Sequence, residues 1–163
     1  MPRAKNLQSG LTLVEVLVAA AIILVFISAL ISAHNLYLTT AFSGLKKVKA
    51  IFLAEEGIEA IKLMKDKSWT SNIAPLTNGT NYYLTYDSAT SLWESIATNT
   101  YIDSLFERRF VLSAVYRDGN QDIASSGTLD ANTKQVIVYV SWSEKGATST
   151  KSVATYVTNL IGN

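Results

Sequence analysis

The segment Leu11-Thr12-Leu13-Val14-Glu15-Val16-Leu17, continuing as VAAAIILVFISALISA through Ala33, holds one charged residue in 23 positions. As a helix rising about 1.5 Å per residue it reaches roughly 34 Å, enough to cross a hydrocarbon core of about 30 Å. The preceding residues, MPRAKNLQSG, carry Arg3 and Lys5 and no acid. Basic residues hold their flank of a span in the cytoplasm, so the expected topology is one pass with the N-terminus inside. Glu15 is the anomaly. A carboxylate in the membrane interior costs about 2–3 kcal/mol or more, and such groups are functional by default.

Three processing routes fit the N-terminus. The segment can remain as an uncleaved anchor. It can be removed as a secretory signal, with Ile31-Ser32-Ala33 supplying small residues before a cut at His34. Or the chain can be cut between Gly10 and Leu11, which keeps the apolar helix on the mature protein. Under this third route Glu15 lies one turn from a new terminal amine and near a helix N-terminus, whose dipole favours negative charge. Pairing amine and carboxylate, within or between subunits, offsets the burial cost of both. The plainer alternative leaves Glu15 hydrated at the cytoplasmic interface.

The run Ser9-Gly10-Leu11-Thr12-Leu13-Val14-Glu15-Val16-Leu17 resembles the class III signal of type IV prepilins and type II secretion pseudopilins. Gly10 matches the glycine before the cut and Glu15 the assembly glutamate, while Leu11 stands where phenylalanine is commoner. The resemblance implies that a prepilin peptidase removes the leader 1–10, with its charges Arg3 and Lys5, and that Leu11 becomes an N-methylated terminus. Gly10 suits such a site because, lacking a Cβ, it lets another protein's backbone approach closely.

Beyond Ala33 the apolar block becomes a helical pattern. Leu38, Phe42, Leu45, Val48 and Phe52 form one row at spacings of three and four, and Ile51, Ala54, Ile58 and Ile61 a second. No proline occurs between Pro2 and Pro75, so one helix of roughly 80 Å is expected over 11–67, with 11–33 transmembrane and 34–67 amphipathic. Gly44 and Gly57 each cost such a helix about 1 kcal/mol relative to alanine, and mark either close packing or tolerated positions. The resemblance implies that the apolar half packs in a filament and the amphipathic half lies on a sheet. The end of the pattern, Glu55-Glu56-Gly57-Ile58-Glu59-Ala60-Ile61 with Asp66-Lys67-Ser68-Trp69, resembles minor pilins of the PilV type.

Residues 68–163 read as a β-rich head. Asn78-Gly79 is a hairpin signal, and strands are expected at 82–86, 106–117, 134–143 and 150–158, with 88–104 irregular. Phe110, Leu112, Ala114 and Tyr116 share one face of the second strand, and Val136, Val138, Val140 and Trp142 one face of the third. A hairpin through Gly146 joins the last two. The fold expected is α+β, a long helix packed on an antiparallel sheet of about four strands, because so few strands need a helix to cover them.

Composition narrows the function. The chain has 163 residues, a net charge of +1 and no cysteine, so disulfides and thiolate metal sites are excluded. Lys46, Lys47 and Lys49 read as a solvated helix face. His34 is the sole histidine, at the expected outer membrane interface, so Cys–His and Ser–His nucleophile pairs are excluded from the head. Tryptophans 69, 93 and 142 read as packing residues. Asp118, Asn120 and Asp122 alternate as oxygen ligands do at the start of calcium loops, with Asp130 available to complete an irregular site. Ile123 stands where glycine is needed and no closing glutamate follows, so a plain turn competes with a calcium site. No cofactor and no enzymatic activity are expected.

The expected function is a structural, minor pilin-like subunit of a type IV pilus or related filament, first inserted in the inner membrane and later at the cell surface. Its implied partners are prepilin peptidase, other pilin subunits, an assembly platform and its ATPase. The alternatives are a pseudopilin of a type II secretion or DNA-uptake system, where nucleic acid enters only indirectly, and a membrane-anchored extracellular binding module.

Overall fold

A computed structural model describes residues 12–160 and 162. The chain divides into two compact units, Met1–Gly44 and Leu45–Asn163. Helix α1, Leu13–Lys67, supplies residues to both. In the first unit every described residue but Ser43 is exposed, including Leu17, Leu24, Phe26 and Leu30. A helix that apolar on all sides, with no covering element in its own unit, has the length and composition of a membrane span.

In the second unit α1 turns one face inward. Ala50, Leu53, Ala54, Gly57, Ile58, Ala60, Ile61 and Met64 are buried, at the three-and-four spacing of a helix stripe. Of the two apolar rows read from sequence, the second supplies Ala54, Ile58 and Ile61 to the packed face, while its first member, Ile51, stays exposed at 41%. Leu45, Val48 and Phe52 of the first row stay exposed, at 65%, 51% and 65%. They do not lie on the sheet, because the stripe centred on Ala54 and Ile58 faces the opposite side of the helix. α1 stops at Lys67. Asn72 Nδ2 donates to the Met64 carbonyl at 2.8 Å, and Ser68 Oγ accepts from Ser71 N at 3.2 Å to cap the short α2, Trp69–Asn72.

The sheet has six strands rather than about four: β1 Tyr82–Asp87, β2 Leu92–Ile96, β3 Glu107–Arg117, β4 Ile123–Ala124, β5 Thr128–Glu144 and β6 Ala147–Thr158. Their order is β2-β1-β3-β5-β6, all pairings antiparallel, with β4 on the end of β3. The expectation of a long helix on an antiparallel sheet is met. The core joins the α1 stripe to Phe106, Phe110, Leu112, Val136, Val138, Val140 and Trp142.

Three local readings change. β2 occupies part of the stretch expected to be irregular. Asn78-Gly79 makes a turn, with Gly79 at φ 78°, but no strand precedes it; Gly79 N instead donates to the Leu112 carbonyl at 2.8 Å. In β3 the register shifts between Ala114 and Val115. This bulge reverses the alternation, so Val115 is buried and Tyr116, expected inward, is exposed. The β5–β6 turn is as read, Lys145 (φ 51°) and Gly146 (φ 80°) giving the two left-handed residues that a tight hairpin requires.

Candidate functional site

Thr12 and Glu15 form a reciprocal ring at the start of α1. Glu15 Oε2 accepts from Thr12 N at 2.8 Å and from Thr12 Oγ1 at 2.9 Å, while Glu15 N donates to Thr12 Oγ1 at 3.3 Å. Thr12 O accepts the first turn's bond from Val16 N at 3.2 Å. This is a capping box, in which a Thr-x-x-Glu pattern satisfies backbone donors that the helix leaves unpaired. Glu15 is thereby held on the first turn, within the apolar segment, by its own neighbour. Both side-chain bonds fall on one oxygen, and a carboxylate has lone pairs for a further cationic donor. Thr12 went unassigned by sequence reasoning, although Thr-x-x-Glu ahead of an apolar run is a legible signal. Gly10, Leu11, Arg3 and Lys5 lie outside the described residues.

In the second unit Arg108, on β3, is 5% exposed and ties the sheet to α1. Its Nη1 donates to Glu56 Oε2 at 2.9 Å and to the Leu53 carbonyl at 3.3 Å, and the guanidinium lies 5.2 Å from the Trp93 ring centre. A buried cation with one half-exposed carboxylate and an aromatic face is a packing clamp. The Glu107 and Arg109 side chains, neighbours along β3, lie 3.7 Å apart.

The acidic loop is a self-satisfied turn. Asp118 Oδ1 accepts from Asn120 N at 2.8 Å and from Asp122 N at 3.0 Å, and Arg117 Nη1 donates to the Gln121 carbonyl at 2.8 Å. Asp130 faces Arg117 rather than the loop, at 2.7 Å. Among the described residues no group of three or more His, Cys, Asp or Glu side chains is placed to hold a metal.

Residues 5–31 match the prokaryotic N-terminal methylation motif. Comparison with curated proteins and with solved structures finds no match. The motif covers Lys5, Gly10, Leu11, Thr12 and Glu15 and the apolar turns through Ile31. Together with the exposed apolar helix it supports a prepilin-type N-terminus, processed by prepilin peptidase, on a type IV pilin-like, membrane-anchored chain.

Proposed function

We propose that this chain is a minor pilin-like structural subunit of a type IV pilus or related filament and has no catalytic role. Residues 1–10 are a cytoplasmic leader, 11–33 the membrane segment, 34–67 the amphipathic continuation and 68–163 the extracytoplasmic head. Cleavage after Gly10 frees the Leu11 amine, which methylation leaves cationic. Glu15 of one subunit pairs with that amine on a neighbour as the chain leaves the membrane, neutralising both and setting axial register. An assembly platform and its ATPase supply the work.

The observation that carries this reading is the coincidence of the methylation motif with an exposed apolar helix bearing one carboxylate on its first turn. The exposed row Leu45, Val48 and Phe52 adds support, since a contiguous apolar surface is suited to cover by neighbouring subunits. A secretion or DNA-uptake pseudopilus would use the same N-terminal chemistry.

Glu15→Ala separates assembly from tethering. The variant is expected to insert in the membrane and to lose its leader at the wild-type level, yet to fall at least about tenfold in sheared filaments, the equivalent of about 1.4 kcal/mol. Undiminished incorporation would reject the pairing role and leave α1 as a tether for a binding head.

A further inference from the structure

The outer face of α1 in the second unit changes character along its length. Leu45, Val48 and Phe52 form an exposed apolar row, and the same three-and-four spacing continues it as Glu55 and Glu59, both exposed. Lys46 and Lys47 flank its beginning. The charges nearest to these are used within the chain: Lys49 pairs with Asp103, Glu56 with Arg108 and Glu59 with Lys62. Lys46, Lys47 and Glu55 have no ion pair or hydrogen bond of their side chains among the described residues. Lys46 and Lys47 are adjacent like charges, and Glu55 and Glu59 stand at the i,i+4 spacing that disfavours a helix when the signs agree. The isolated chain thus carries an unpaired basic band followed, further along the same helix, by an unpaired acid.

The spacing of these bands fits a second copy of the chain. Lys47 and Glu55 are eight residues apart, a rise of about 12 Å along α1. Two parallel copies set side by side without stagger bring lysine against lysine and glutamate against glutamate, a costly like-charge contact. Sliding one copy outward by about 12 Å brings its Lys47 level with Glu55 of the inner copy. The same slide sets Tyr37, Leu38 and Phe42 of the outer copy level with the row Leu45, Val48 and Phe52 of the inner one, exposed apolar side chains against exposed apolar side chains. A contact between a surface and a shifted copy of itself is head-to-tail, the kind that extends into open filaments. An antiparallel pair centred on Ile51 would also join Lys47 to Glu55, but copies anchored through residues 11–33 in one membrane run parallel.

We propose that Lys47 of one subunit pairs with Glu55 of the next, a second copy of this chain, and that this contact sets the stagger between neighbouring α1 helices outside the membrane. It rests on the filament role proposed above and has the same sense as the Glu15 contact, since in both an acid on the inner copy meets a cation on the outer one. The Glu15 contact by itself spans four residues, about 6 Å, and the flexible lysine stem takes up the difference.

The test is charge reversal in the full chain, produced in its own cells and measured as incorporation into sheared filaments. Lys47→Glu and Glu55→Lys, both at exposed positions, are each expected to lower incorporation at least about fivefold, with membrane level and leader removal unchanged. The double variant Lys47→Glu/Glu55→Lys is expected to return to the wild-type level. So are the two single variants produced together, because copies that alternate place opposite charges at every contact. The proposal is overturned if the single variants incorporate like wild type, or if either combination fails to recover. Recovery in the double variant without recovery in the mixture would place the pairing within one chain. Wild-type incorporation that Glu15→Ala abolishes and Lys47→Glu leaves unchanged would remove this contact alone and keep the filament role, whereas absence of the wild-type chain from filaments would reject both.

Discussion

Asp130 and Arg117 join β5 to β3 through a bond of 2.7 Å between Oδ2 and Nε, and Asn132 N donates to Oδ1 at 3.0 Å. The Arg117 hydrogen bond first, then Thr133 and the Asn132 amide, hold the Asp130 carboxyl below the usual aspartate range. A carboxyl whose folded-state value is depressed stabilises the fold above its unfolded value, about 3.9, and loses that contribution as pH falls through the lower folded value. Asp130→Asn is accordingly expected to cost about 1 kcal/mol at pH 7, since the pair is partly exposed. Urea unfolding should show that deficit shrinking below about pH 4; a deficit constant with pH would assign the loss to packing. Glu15 itself was legible as a lone acid in an apolar run. The capping role of Thr12 was not read from that run, because attention to charge overlooks a hydroxyl three residues upstream.

The two glycines within α1 differ in surroundings. A Cβ on Gly57 would lie 2.9 Å from Val138 Cγ1 and 3.2 Å from Arg108 Cδ, whereas one on Gly44 meets nothing within 4 Å. Alanine gains about 1 kcal/mol in a helix, but overpacking a filled core costs about 1–3 kcal/mol. Val138 is fully buried on a central strand and cannot swing aside. Gly57→Ala is therefore expected to lower the midpoint of thermal unfolding, and Gly44→Ala to raise helix content or leave it unchanged. Equal effects would mean that helix and sheet do not meet closely at Gly57. Element legibility followed periodicity. β5 alternates cleanly from Val136 to Trp142 and was read with the correct inward face. β2 is five residues long and its hairpin turn lacks glycine. Asp87 organises that turn by accepting from Thr90 Oγ1 at 2.7 Å and Ala89 N at 2.9 Å, bonds that hold its carboxyl below the usual range. Tyr86 packs edge-on against Trp93 across the pair, 5.4 Å between ring centres. Such pairing depends on three-dimensional partners and leaves no periodic trace. The Ala114/Val115 bulge is likewise invisible from a single strand, since it is a mismatch with β5.

At the scale of the whole chain, the apolar excess divides between two kinds of surface. In the second unit it forms a shared core between α1 and the sheet. In the first it is exposed from Leu13 to Phe42 and has no cover within that unit. That contrast was readable in the sequence, because uniform apolarity changes to a three-and-four rhythm near His34. Which of two amphipathic rows meets the sheet was not readable, since both have the same period and only the partner distinguishes them. In the proposed function, processing links the first unit to filament assembly: a cut after Gly10 would remove Arg3 and Lys5 and create the amine that Glu15 can meet. The direct check is the intact mass of the chain purified from its own cells. A species beginning at Leu11 and carrying one added methyl group is expected. A fully functional species that retains Met1–Gly10, or one that begins at His34, would contradict prepilin processing and the subunit role that depends on it.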